Sequence, residues 1–388
     1  AIVLIGTAPA MAGNFEWVGT TGSYDVTDNW NEVIDEVFYP TDVIPGPADY
    51  ASVNNGGTMQ LGSGTFTPDF FYCGRYPETT VGTADIFGTG VLDTNRVYIG
   101  QSGTGTLNLS DSAEVYSGTG NFQLGQSPGS MGTINVSDSA VLTIERHAAK
   151  VGDRGTGIIN QNGGTVHLGT RVDFGGADAG DPNIAGHAIY NLSGGSCDGA
   201  EINLGYRGKA EFNISGGSLS LTEELWMGTS ALATWPQTDG TLRISGQWNP
   251  GTNDIVCDKL RTQGGKATLA FEIDDTGIEP VGVTTWAYFK ENTFADISFA
   301  PGVPFTTGQS FTLVDTPQTY NFNLIQLVET SSDWELAQDG ADIVVNILND
   351  FTLPLLGDFD GNGAVNGLDI PGFKDALADP DAWAAANP

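Results

Sequence analysis

The feature that most constrains this chain is a loose repeat whose core alternates polar and apolar residues. Six cores align: Gly105-Thr-Leu-Asn108-Leu-Ser110, Gly132-Thr-Ile-Asn135-Val-Ser137, Gly157-Ile-Ile-Asn160-Gln-Asn162, Ala188-Ile-Tyr-Asn191-Leu-Ser193, Ala210-Glu-Phe-Asn213-Ile-Ser215 and Gly240-Thr-Leu-Arg243-Ile-Ser245. Successive Asn positions lie 27, 25, 31 and 22 residues apart. Aliphatic-Gly pairs precede the cores: Ile99-Gly100, Leu124-Gly125, Val151-Gly152, Leu204-Gly205 and Met227-Gly228. A period of this length, holding short alternations separated by turns, is that of one coil of a parallel β-helix. Stacked at the strand spacing of ~4.8 Å, six coils would build a section roughly 29 Å long. In this arrangement Leu107 and Leu109 point into the bore, and Asn108 points out, where side-chain amides can bond from coil to coil. A helical solenoid is excluded by the glycine content and the period of two, and a propeller blade needs ~40 residues or more.

The 54 glycines among 388 residues fit many tight turns between short strands. Forty-seven acidic residues against fourteen basic ones leave a net charge of −33. Such a surface repels nucleic acid, anionic lipid and polyuronate chains, so nucleic acid is not an expected partner. Cys73, Cys197 and Cys257 are odd in number and widely spaced, without a CxxC pair. They indicate neither a disulfide framework nor a zinc site, and leave open one bridge or a set of buried thiols. Asn108, Asn135, Asn191 and Asn213 each satisfy N-x-[ST], a pattern that an L-N-L-S core produces without any glycan.

Residues 1–12 are apolar, end in small residues and offer Ala10-Met11-Ala12 as a cleavage site; they read as the remnant of a signal peptide, with the mature chain starting near Gly13. Export to the extracellular space or cell surface is the expected location. No later apolar run approaches the ~20 residues of a membrane span. Residues 13–96, with Trp17 and Trp30, read as an N-terminal cap and first coils, residues 97–262 as the repeats, and 263–353 as a C-terminal β region. The order of aromatic cap, Pro45-Gly-Pro-Ala-Asp49 segment, G-T-L-N-L-S-type repeats and terminal β region resembles the β-helical part of autotransporter-passenger-like bacterial surface proteins. That resemblance implies an all-β, right-handed parallel β-helix on an extracellular protein, and implies no catalytic residues.

The remaining segment, 354–388, carries the sharpest local motif. Asp358, Asp360, Asn362, Ala364 (through its carbonyl), Asn366 and Asp369 fall at positions 1, 3, 5, 7, 9 and 12 of an oxygen-ligand loop, with Gly363 at the sharp turn. Ca2+ takes six to eight hard oxygen ligands, which this spacing supplies. The loop resembles a type I dockerin repeat, with its apolar Ile370 and a short helix over Pro371-Gly-Phe-Lys-Asp-Ala-Leu377. The resemblance implies an EF-hand-like helical segment and a cohesin-type scaffold domain as partner. Two departures qualify it: dockerins normally carry two such repeats where one precedes Pro388, and Gly367 and Leu368 stand where the family often has a hydroxyl or basic pair.

No catalytic constellation emerges. Arg146, His147, Lys150, Arg154 and Arg171 cluster in sequence, and His147, His167 and His187 are spaced by 20, which is not the coil period. Glu223, Glu224, Asp274 and Asp275 could supply a carboxylate pair for glycoside hydrolysis, but so many acids make any pair uninformative. Trp226, Trp235 and Trp248 could form a sugar-stacking platform or pack in the core. The expectation is therefore a structural or adhesive β-helix tethered by a calcium-dependent module. The alternative is a dockerin-bearing carbohydrate-active enzyme or glycan-binding protein acting on polysaccharide.

Overall fold

The computed structural model describes residues 12–176, 184–229, 238–250 and 253–353, together with the isolated residues 355, 365 and 374. The chain winds into an all-β, right-handed solenoid of about nine turns. Each coil contributes three strands, and each strand pairs in parallel with its equivalent one coil away. On the first face lie Val81–Ile86, Thr104–Leu109 and Met131–Val136, in register Asp85↔Asn108↔Asn135. On the second lie Val91–Thr94, Glu114–Ser117 and Val141–Ile144. The third carries Tyr50–Val53, Phe70–Cys73 and Arg96–Ile99, and continues through Ile202–Leu204 to Ile255–Thr262 and Val281–Tyr288.

Alternation along each short strand sends aliphatic side chains into one continuous bore, where Leu107, Ile134, Ile159, Tyr190, Phe212 and Leu242 succeed one another in register, all buried. The opposite side of the first-face strands carries the expected amide ladder. Asn213 donates to Asn191, Asn191 to Asn160, Asn160 to Asn135, Asn135 to Asn108 and Asn108 to the Asp85 carboxylate, all at 2.7–2.9 Å. Every link points the same way and the chain ends on an anion, the geometry in which such bonds reinforce one another. In the four N-x-[ST] sites the Nδ2 that would carry a glycan is thus already engaged.

The aliphatic-Gly pairs mark the corner between third and first faces. Gly100 has φ +67°, and a Cβ there would sit 2.2 Å from the Met131 carbonyl oxygen of the next coil, so the corner admits only glycine. At another corner Asp111 and Asp138 take left-handed backbone, and Asp111 accepts from Gly88 N while Asp138 accepts from Asp111 N, tying three coils together. Cys73, Cys197 and Cys257 are all free and buried, which resolves the alternative left open by their spacing.

Parallel stacking gives way to antiparallel strands at both ends. Asn14–Trp17 pairs with Trp30–Ile34, which pairs with Val37–Pro40. Trp17 and Trp30, buried and edge-to-face at 5.3 Å, close the bore over Phe66. At the other end Ser310–Asp315, Trp334–Asp339 and Asp342–Ile347 form an antiparallel sheet, with Phe299, Phe305, Trp334 and Phe351 packed in one cluster. Among the described residues helix is confined to short 3-10 turns and the single position Lys374, and no helix there is long and apolar enough to cross a membrane. Of the dockerin-like segment only residues 355, 365 and 374 are described, so the expected ligands Asp358, Asp360, Asn362, Ala364, Asn366 and Asp369 and all of the expected helix but Lys374 lie outside the described residues.

Asn135→Ala should cut two links of the ladder and Asn213→Ala only one. At about 0.5–1.5 kcal/mol per bond, urea denaturation should show a loss of about 1–3 kcal/mol for the first and about half that for the second. Equal effects would mean that the amides act singly rather than as a chain.

Candidate glycan-binding face

The third face differs from the other two in what it turns outward. Ser52, Tyr72, Tyr98, Gln123, Lys150, Asp173, Asn203, Trp226, Arg261, Tyr288 and Tyr320 occupy one register column from end to end. A neighbouring column holds Tyr50, Phe70 and Arg96 and, further along, Glu224, Lys259 and Trp286. The same parallel register that builds the amide ladder therefore builds a stripe of aromatic and charged side chains.

In the first coils this stripe is closed on itself. Tyr50 stacks on Phe70 at 4.1 Å and Tyr72 on Tyr98 at 4.9 Å, with planes within 12° of parallel. The guanidinium of Arg96 lies 4.1 Å over Phe70, and that of Arg75 lies 4.4 Å over Tyr72. Rings eclipsed along the coil axis spend their faces on one another and on arginine, and offer solvent mainly their edges. Tyr72 is almost fully buried, and that burial pushes its phenol up to about 12, against the opposing pull of Arg75.

The charges of the middle coils are likewise satisfied internally. Lys150 pairs with Asp153 at 2.8 Å, and Arg171 with Asp173 at 2.8 Å and Glu201 at 3.7 Å. Arg146 donates to Asn121. Of the sequence cluster, Arg146, Lys150 and Arg171 thus belong to this face, but each serves a neighbour rather than forming a catalytic group.

The late coils are open. Trp286 and Tyr288 stand at 79° with centroids 6.4 Å apart, and Tyr288 and Tyr320 at 55° and 6.3 Å. Splayed in this way, the rings do not stack on one another, although Lys259 Nζ lies 6.0 Å from the centroid of the Trp286 ring. Trp286 and Tyr288 line a groove of about 330 Å³ together with Arg261, Gln263 and Lys290. Arg261 is held flat against Trp226, 3.8 Å from its ring, and its Nη2 meets Glu224 at 2.9 Å. Beside it Lys259 pairs with Asp258, whose carboxyl is held below the usual range first by hydrogen bonds from Thr285 and Thr284 and then by Lys259. A sugar ring can lay its C–H face on an uncovered aromatic face while its hydroxyls reach the amide and cations around it.

The structure separates other residues grouped by sequence. The three histidines fall on three different faces: His147 beside Thr170, His167 on Asp198 at 2.9 Å, and His187 on Glu211 at 3.2 Å. Trp248 sits in a corner remote from Trp226, its N–H donated to the Gly217 carbonyl, while Trp235 lies outside the described residues. Glu224 is an ion-pair partner and Asp274 bonds Thr276 and Gly277 within its own turn, so neither stands in a paired hydrolytic arrangement. The nearest approach to acid–base chemistry is a shallow second-face groove holding Glu145, His167 and Asp198. Among the described residues no group of His, Cys, Asp and Glu is placed to hold a metal ion.

Sequence reasoning missed Trp286, Tyr288 and Tyr320 as a set. Their signal, an aromatic at each end of W-A-Y and one in the following coil, emerges only once the coil register is known.

Raising the pH should test the closed ladder. The folded chain keeps the Tyr72 proton to about pH 12, whereas the unfolded chain releases it near 10. The stabilisation is therefore complete below pH 10 and is lost as pH rises toward 12. Tyr72→Phe should flatten that decline in denaturation midpoints, and an unchanged alkaline limb would contradict the burial of this hydroxyl.

Comparison with family models, with curated proteins and with solved structures finds no match for this chain, so the reading of the face rests on its own geometry.

Proposed function

We propose that this protein is a secreted adhesive rod that holds a polysaccharide against its third face, and that its C-terminal calcium loop tethers the rod to a scaffold domain of the cohesin type. The observation that carries the glycan reading is the change in ring geometry along the two neighbouring columns of the third face. Rings that are stacked and self-covered in the first coils become splayed and half-exposed around the groove at Trp286. A rigid solenoid suits this role, because coils fixed in register hold the binding groups in place before a ligand arrives and reduce the ordering cost of binding. The carbohydrate-binding alternative is preferred here to a purely structural role, and to a hydrolase, because the open groups are ring faces and hydrogen-bonding donors rather than a spaced carboxylate pair.

The tether rests on the residues of the loop. Asp358, Asp360, Asn362, Asn366 and Asp369 supply side-chain oxygens and Ala364 a carbonyl, the hard donors that Ca2+ prefers. An aspartate at the closing position supports modest affinity, on the order of 10⁻⁴ to 10⁻³ M.

Two measurements test the two halves. In affinity electrophoresis of the full chain through gels holding a panel of polysaccharides, at least one should retard it. Trp286→Ala with Tyr288→Ala should weaken that retardation about tenfold or more, equivalent to about 1.4 kcal/mol, without releasing new reducing ends in either protein. Calcium should slow proteolysis on the C-terminal side of Thr352 in the wild-type chain and have no effect in Asp358→Ala. Identical cleavage of the wild-type chain in Ca2+ and in EDTA would remove the tether from the proposal.

A further inference from the structure

We infer that the groove at Trp286 takes the anionic group of an acidic sugar, a carboxylate or a sulfate, within the bound polysaccharide; this rests on the glycan-binding reading above and specifies its ligand. The net charge of −33 points the other way. The distribution of the few cations overrides it locally. Arg75, Arg96, Lys150, Arg171, Lys259 and Arg261 all project from or border the third face, whereas Lys209, Arg243 and Lys266 lie on first-face strands. The second-face strands, such as Val91–Thr94, Glu114–Ser117 and Val141–Ile144, carry no lysine or arginine.

Most of the third-face cations are already neutralised by the pairs described above. Within the groove Lys290 is the exception. Lys290 is exposed, lines the groove and has no ion pair among the described residues. Arg261 gives Nη2 to Glu224, but its Nε is buried without a hydrogen-bond partner. Gln263, in the same lining, has a buried Oε1 without a donor. A buried polar atom without a partner is costly, and the groove brings two of them together where a ligand could meet them. The groove thus presents one exposed cation without an ion pair, Lys290, and two buried polar atoms without partners, Arg261 Nε and Gln263 Oε1, beside the Trp286 and Tyr288 rings. An anionic oxygen satisfies the donors, a ring hydroxyl satisfies Gln263, and the sugar's C–H face covers the indole. A neutral glycan would satisfy the ring and the amide but leave the Lys290 charge unanswered.

Electrostatics also predicts an unusual salt response. Repulsion between the acidic rod and an anionic polymer acts over the Debye length, about 30 Å at 0.01 M salt and about 10 Å at 0.1 M. The contact with Lys290 and Arg261 is short-ranged and less screened. Binding should therefore strengthen from 0.01 to 0.1 M salt, the reverse of ordinary cation–polyanion association.

The test uses the full chain in EDTA, with polygalacturonate, its fully methyl-esterified form, a sulfated galactan and a neutral galactan as probes. The expected result is binding to the carboxylate or the sulfate polymer at least tenfold tighter than to the ester and the neutral chain. Whichever acidic polymer is preferred identifies the anion. Lys290→Met should abolish the preference, Lys290→Arg should restore it, and Lys266→Met on the first face should leave it unchanged. Equal binding of acid and ester, insensitive to Lys290→Met, would overturn the inference while leaving the glycan reading intact. Acid binding that requires calcium would overturn it in favour of a metal bridge. Failure of every probe, with a wider neutral panel also unbound, would remove the glycan reading itself.

Discussion

Parallel pairing of each strand with its equivalent in the next coil is the constraint on which everything else in this molecule depends. It places like residue over like at about the strand spacing. A column of leucines becomes a bore, a column of asparagines becomes a directed chain of amide bonds, and a column of aromatics becomes a stack. The corners obey the same rule: because the next coil passes so close, Gly100 has no room for a side chain. A change in one core residue is therefore felt by two neighbours, above and below.

A stack of this kind has two free ends, each with unpaired backbone groups and an exposed bore. The chain closes both by changing strand direction. The Trp17–Trp30 pair and the cluster of Phe299, Phe305, Trp334 and Phe351 are large rings seated where no further coil supplies aliphatic cover. Proline at the end of the exposed Val37–Pro40 strand removes a donor from an edge that another chain could otherwise pair with.

Regularity and the proposed binding pull in opposite directions along the third face. Where the register is perfect, ring faces and charges are consumed by neighbouring coils and the surface has little to offer a ligand. Around Trp286 the last coils deviate: the strand at Thr319–Tyr320 has only two residues, the rings tilt away from one another, Arg261 Nε and Gln263 Oε1 are buried without partners, and Lys290 is exposed. The proposed site is the place where the ring stack is interrupted.

Much of this was legible in the residues alone. The L-N-L-S cores, with polar residues alternating against aliphatics, determined the bore, the amide ladder and the solenoid, because strand alternation is local and needs no knowledge of distant contacts. The aliphatic-Gly pairs likewise marked the corners. What only the tertiary structure decided was which surface residues share a face. Corner lengths vary from coil to coil, so spacing in sequence does not convert to position around the rod. That is why Trp226 and Trp248 part company, why three evenly spaced histidines reach three faces, and why cations dispersed through a chain of strong negative charge gather more on the third face than on the first. Net charge is a sum over residues, whereas a binding face is set by the register that brings them together.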